Sequence, residues 1–267
     1  MHIVVCMKQV IDPEVPPHLF EIDPETQQQV RGRQPLVISD YDEVAIEIAL
    51  QLREKTEGRV TVVTIGGEEA EESLHQALAM GAEHAIRVTD PAFEDADAFG
   101  KARILASALK KMGDVDPEQP VDVILCGRQA GDVELGLVGP FLAEEMQLPC
   151  ATLLANVDPG HGKVRARRPT DVGYDILEIP LPAVLTVTND ESNVPRYASV
   201  RGMMKARKAE IPVWSADDLG FEPSAAKIVM DEIFIPERDM VCEIIEGETG
   251  ADKAQNLVLR LQEEKLI

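Results

Sequence analysis

The chain has 267 residues, 45% of them hydrophobic and 28% charged, with a formal net charge of −22. That length can bury a substantial core as one large domain, or as one domain with appendages. So acidic a protein argues against nucleic-acid or anionic-membrane partners, because self-repulsion opposes both. No run of about 18 or more apolar residues occurs, so no membrane span is expected.

Met1-His2-Ile3-Val4-Val5 leads directly into a strand pattern and lacks the regions of a signal peptide, so a cytoplasmic or matrix-like location is expected. Cys6, Cys126, Cys150 and Cys242 form no CxxC pair. Three of them end or follow apolar runs, which points to small buried thiols rather than metal ligands or disulfides. The five histidines are dispersed, with neither HExxH nor paired spacing, so no metal site is assigned.

His2 to Lys8 is an apolar run with a polar end, the pattern of a strand buried on both faces of a parallel sheet. Lys8 then lies at the carboxyl end of that strand, the edge where open α/β sheets bind ligands. Residues 11–38 hold five prolines, too many for a helix, and read as a small hairpin excursion. Ser39 and Asp40 can cap a helix over Asp42 to Glu54, whose Ala45, Ile48, Ala49 and Leu52 form one apolar stripe.

Arg59 to Ile65 is a second buried strand closed by Gly66-Gly67, and a helix from Glu68 to Met80 is stopped by Gly81. Ala85 to Thr89 is a third strand. After the acidic loop 90–97, a stripe from Ala98 to Met112 marks another helix. Residues 113–120 link it to the strand Val123 to Cys126.

That strand ends in Gly127-Arg128-Gln129-Ala130-Gly131-Asp132-Val133-Glu134-Leu135-Gly136, and a helical pattern begins near Leu137. A glycine-bearing loop between strand and helix leaves main-chain N–H groups and the helix dipole free to hold a phosphate. The same spacing also suits an ordinary tight strand-to-helix turn. Strands alternating with helices imply a doubly wound, mostly parallel sheet with right-handed crossovers. Lys8 and the strand ends at 65–67 and 126–131 would converge on one edge. No GxGxxG follows the first strand, which disfavours hydride transfer on a dinucleotide fingerprint.

After Pro149 the segments Thr152 to Asp158, Lys163 to Arg168, Tyr174 to Ile179 and Ala183 to Thr188 lack intervening helices and suggest an antiparallel extension. Asn189 to Pro212 carries Arg196, Arg201, Lys205, Arg207 and Lys208, with Met203, Met204 and Trp214 as apolar anchors. It reads as a basic arm that docks an acidic or complementary surface. Ser215 to Glu248 is irregular, and Ala251 to Glu264 closes the chain as an amphipathic helix, packed on its own core or on another subunit.

Five stretches in order resemble the β subunit of electron transfer flavoproteins. They are Val4-Val5-Cys6-Met7-Lys8-Gln9-Val10, Asp42-Glu43-Val44-Ala45-Ile46-Glu47, Ala77-Leu78-Ala79-Met80-Gly81-Ala82, Gly127 to Asp132, and Asn193-Val194-Pro195-Arg196-Tyr197 followed by Met204-Lys205-Ala206-Arg207-Lys208. The resemblance implies a heterodimer with an α subunit carrying FAD, and an acyl-CoA-type dehydrogenase or another oxidoreductase as redox partner.

It further implies a buried nucleotide lined by Cys6, Met7 and Lys8, by Ser39, Asp40, Tyr41 and Asp42, by Ile65 and Gly66, and by the loop Gly127 to Val138. Asn193, Pro195, Arg196, Tyr197, Met204, Lys205, Arg207 and Lys208 would meet a partner. The family commonly has small or polar residues where Val133-Glu134-Leu135 stand, and asparagine at the position of Ser39.

Ordinary members hold AMP, whereas bifurcating members hold a second FAD that takes a hydride from NADH. Asn193 to Gly202 and Ile211-Pro212-Val213-Trp214 are more similar to the bifurcating type, which favours FAD over AMP. The expected organisation is an α/β nucleotide-binding domain over 1–188, a recognition arm over 189–212, and a C-terminal extension over 213–267 that clasps the partner subunit. An adenylate-sensing regulatory module is the alternative of another class. A hydrolase or ligase using Asp132 and Lys8 is a third reading, for which no nucleophile is apparent.

Overall fold

The computed structural model describes residues 1–26, 29–235 and 242–267, in two compact units, Met1–Asp231 and Glu232–Ile267. The first unit begins with β1 (His2–Cys6), then the antiparallel pair β2 (Gln9–Ile11) and β3 (Leu36–Ile38). Next come α1 (Asp40–Thr56), β4 (Arg59–Ile65), α2 (Ala70–Met80), β5 (His84–Val88), α3 (Ala98–Val115), β6 (Val123–Gly127) and α4 (Val138–Met146). They are followed by β7 (Cys150–Leu154), β8 (Asn156–Pro159), β9 (Lys163–Thr170), β10 (Gly173–Pro180), β11 (Ala183–Val187), α5 (Val200–Ala206), β12 (Val213–Trp214) and α6 (Ala216–Leu219).

Seven strands form one sheet in the order β12-β5-β4-β1-β6-β11-β7, and every pairing in it is parallel. Strand alternation divides the core between the two faces. Ile3, Val5, Val62, Leu125 and Leu185 pack with α1 and α2 on one side. Val4, Cys6, Val63, Ile124 and Val184 pack with α3 and α4 on the other. This is the expected doubly wound α/β fold.

The region after Pro149 differs in detail. Ala183–Val187 is no antiparallel strand: it lies between β6 and β7 and runs parallel to both. All five of its residues are buried, as a strand covered on both faces requires. The expected strand 152–158 breaks at Ala155, with β7 in the main sheet and β8 in a separate antiparallel sheet of order β10-β9-β8. Leu153 adopts φ 60 beside a register shift between Leu185 and Val187, and there the chain leaves one sheet for the other. The three-stranded sheet therefore stands where a crossover helix would otherwise connect β7 to β11. No helical period marks such a connection in the sequence.

Helix α1 is buried well beyond its predicted stripe: Val44, Ile46, Glu47 and Leu50 are buried as well. It packs under the sheet and also against β8 and the turn at Glu191–Asn193. Cys6 and Cys126 are buried as expected, but Cys150 and Cys242 are exposed, since one begins an edge strand and the other sits in the irregular tail. Within the expected irregular stretch, Ser215 and Asp218 form a reciprocal capping box that starts α6.

In the second unit, α7 (Gly250–Glu263) is capped by Thr249 and Asp252, and none of its residues is buried. Arg260 Nε donates to Glu243 at 2.9 Å. The irregular stretch also covers 236–241, which lie outside the described residues. No helix among the described residues is long and apolar enough to cross a membrane.

Candidate functional site

The chain leaves β1 toward β4 and β5, then returns to β6 on the opposite side of β1. That reversal opens a crevice beyond the carboxyl ends of β1 and β6, where ligands bind in open α/β sheets. Four of the predicted segments meet there.

Asp42, in the first turn of α1, ties the two strand ends together. Its Oδ2 accepts from Lys8 N at 2.8 Å and its Oδ1 from Gly127 N at 2.9 Å. Burial pushes its pKa up to about 7 against the opposing pull of those two main-chain donors. Gly127 has to be glycine for steric reasons. A Cβ there would stand 2.6 Å from Asp42 Oδ1, 2.8 Å from Tyr41 Cβ and 2.9 Å from the Tyr41 carbonyl carbon.

Ser39 precedes α1, but its hydroxyl does not cap that helix. It instead accepts from Gly131 N at 3.1 Å, holding the loop over the helix start, while Ser39 N donates to Lys8 O at 2.9 Å. The Arg128 guanidinium lies 5.1 Å from the Tyr41 ring centroid. Lys8 Nζ pairs with Asp132 across the mouth of the crevice. Asp40 is exposed, and Met7 is buried among the core residues below. At the end of β4, Ile65 and Gly66 are half-buried, and Gly66 N donates to Val88 O at 3.0 Å.

Beyond Gly131 the loop is exposed from Asp132 to Leu135. Glu134 adopts φ 55 and Gly136 φ 64, and a Cβ on Gly136 would approach Arg128 O to 3.1 Å. Left-handed backbone at a non-glycine residue is strained, and such strain gathers at ligand-binding turns. No side chain caps α4. Pro140, in its first turn, has no N–H, so the main-chain donors at that end belong to Val138 and Gly139. Thr64 Oγ1, buried near the end of β4, has no hydrogen-bond partner.

Uncapped donors, two cations and a strained turn suit a phosphate group. Among the described residues no group of three His, Cys, Asp or Glu is placed to hold a metal ion.

The second predicted cluster divides. Asn193 is buried, and its amide donates to Ala155 O at 2.7 Å and to Thr188 O at 2.9 Å. Arg196 donates through Nε and Nη2 to Glu47 at 2.7 and 2.9 Å, and through Nη1 to Glu54 at 2.6 Å. Burial raises the Glu47 pKa, but hydrogen bonds from Arg196 and Gln51 outweigh it and hold the carboxyl below its usual range. These two residues fix the segment to the body of the fold. Tyr197 is 100% exposed, and Met204, Lys205, Arg207 and Lys208 on or just after α5 are exposed too. Trp214 lies apart from them in β12, with Lys111 Nζ 4.9 Å from its ring centroid.

Comparison with known proteins decides the family. The Electron transfer flavoprotein domain family matches residues 28–219. Electron transfer flavoprotein subunit beta of Thermoanaerobacterium thermosaccharolyticum is 36% identical, with 100% of each chain covered. The chain belongs to the electron transfer flavoprotein β-subunit family.

The β subunit of Bacillus subtilis is 34% identical over 99% of this chain and 98% of its own. The caffeyl-CoA reductase–Etf complex subunit CarD of Acetobacterium woodii is 34% identical over 100% of both.

Proposed function

We propose that this chain is the β subunit of a heterodimeric electron transfer flavoprotein, holding an adenine nucleotide where β1 and β6 end. FAD is preferred to AMP. The observation that carries the reading is the loop 127–138, which runs into the uncapped α4 at the switch point and faces Lys8. Bound flavin supplies hydride acceptance and single-electron transfer, while the protein supplies position and electrostatics. Asp42 and Gly127 hold the two strand ends in register, Ser39 sets the height of the loop, and Lys8 and Arg128 offset the phosphate charge. The same donors suit the phosphate of AMP, which makes the plain carrier the alternative.

The full-length relative named as a subunit of a caffeyl-CoA reductase–Etf complex supports an acyl-CoA-type oxidoreductase as redox partner. The bifurcating role, with NADH as donor, rests instead on the resemblance of Asn193 to Gly202 and Ile211-Pro212-Val213-Trp214 to that type. In this reading 1–188 binds the nucleotide and 189–212 meets the dehydrogenase through Tyr197, Met204, Lys205, Arg207 and Lys208. The extension over 213–267 clasps the α subunit, a role that suits the exposed Leu257, Val258 and Leu259 of α7. Extraction and quantitation of nucleotides from the purified heterodimer tests the proposal. Two FAD per heterodimer is the expected result, one FAD plus AMP supports the plain carrier, and a colourless preparation without adenine nucleotide overturns both.

A further inference from the structure

The basic arm is tied to the body of the fold at two places. At the first, Asn193 bonds to Ala155 O and Thr188 O, and Arg196 to Glu47 and Glu54 of α1. At the second, α5 packs on α2. Gly202 and Ala206 stand four residues apart and so share one face of α5. Ala206 is buried in the same core cluster as Ala77, Leu78, Ala79 and Met80 of α2, while Arg201, Met203, Met204, Lys205 and Arg207 are exposed. Between the two ties, Pro195 to Ala198 border a cleft of about 140 Å³ whose other walls are Glu43, Gln76 and Met80. Open space rather than packed side chains adjoins this stretch, so its ends set its height.

Gly202 decides the second of those ends. A Cβ there would stand 2.2 Å from Ala79 O and 3.2 Å from the Ala79 carbonyl carbon, main-chain atoms in the last turn of α2. No change of rotamer relieves that clash, because backbone is the obstacle. We propose that Gly202 is a positioning residue for docking of the redox partner: it seats α5 directly on α2 and so fixes where Met204, Lys205 and Arg207 meet the dehydrogenase.

The argument is one of close approach. Glycine is a poor helix former, and its use in the first turn of α5 is offset where two backbones must come together. With any L side chain at this position, α5 has to lift by about 1 Å to restore van der Waals distance from α2. The start of the helix moves with it, since Gly202 N donates to the capping hydroxyl of Ser199 at 3.0 Å. The exposed side chains of α5 would keep their charges and lose their place. This inference rests on the docking role proposed above for 189–212 and deepens it.

The test uses the full chain in its heterodimer and an acyl-CoA dehydrogenase with which the wild-type heterodimer exchanges electrons. Gly202→Ala keeps every charge of the arm and adds one methyl group. It should raise KM for the dehydrogenase about fivefold or more, with kcat and extracted nucleotide content within about twofold of wild type. Gly113→Ala, whose Cβ would meet nothing within 4 Å, should match wild type in all three. Lys205→Glu combined with Arg207→Glu tests the docking role itself. A raised KM in that double variant beside an unchanged KM in Gly202→Ala overturns the positioning role and leaves docking intact. An unchanged KM in both overturns the docking reading, a separate failure. A Gly202→Ala chain that fails to assemble, loses nucleotide or falls in kcat also overturns the assignment, because the damage then reaches beyond the arm.

Discussion

Gly127 offers the sharpest test of how the crevice is built. It carries no positive φ, so replacing it by alanine costs nothing in local backbone conformation and, by restricting the unfolded chain, contributes roughly 0.4–1 kcal/mol. Against this, the new methyl group would stand 2.6 Å from Asp42 Oδ1 and within 3 Å of the Tyr41 backbone. Either α1 or the end of β6 must move, an overpacking cost of about 1–3 kcal/mol.

The displaced carboxylate is also the acceptor for Lys8 N, so the penalty reaches β1. Gly127→Ala should therefore be less stable by about 1–2 kcal/mol, a fall of roughly 3–6 °C in Tm for a unit of this size. Gly131→Ala is the matched control: its Cβ would meet nothing nearer than Ser39 Oγ at 3.9 Å. It should melt at or slightly above the wild-type temperature. Calorimetry of both variants, with nucleotide content measured alongside, checks the claim. Identical melting of Gly127→Ala and wild type would refute the steric reasoning, and with it the role of Asp42 as a clamp between the two strand ends.

Asp42 makes stability depend on pH. Its folded pKa, about 7, lies above that of an unfolded aspartate, so the folded state binds the extra proton and is favoured as pH falls through 7. Relative to Asp42→Asn, the wild type should gain roughly 2–3 kcal/mol between pH 8 and pH 5 in urea unfolding; parallel profiles would refute this. Arg196→Ala leaves Glu47, 4% exposed, as a buried carboxylate without its cation. The expected loss is about 3–5 kcal/mol, read as a denaturation midpoint, and a loss below 1 kcal/mol would show the pair to be peripheral. Charge reversal at Lys205 and Arg207 should slow electron exchange with a dehydrogenase, and more so at low ionic strength. Stopped-flow rates indifferent to both charge and salt would exclude docking by α5.

Most of the parallel sheet was legible because each strand is a short apolar run and each helix a stripe with a stop residue. The glycine-bearing loop was equally visible, since a strand, a turn and a helix in that order need no distant partner to be recognised. What stayed hidden depends on residues remote in sequence. The run Ala183–Val187 reads as one more strand of an antiparallel series, and its place between β6 and β7 follows only from the sheet order. Asn193 and Arg196 look like surface groups of a polar motif, yet Asn193 reaches Ala155 O beside β7 and Arg196 reaches Glu47 on α1, 38 and 149 residues away in sequence.

Local periodicity and turn chemistry thus determined this protein's class, its chain order and the position of its phosphate loop, because those depend on neighbours within a few residues. Tertiary structure alone decided that Asp42 joins β1 to β6 and that Ser39 holds the loop instead of capping its own helix. Each of these depends on long-range proximity and on water being excluded there. Neither is written in the local pattern of side chains.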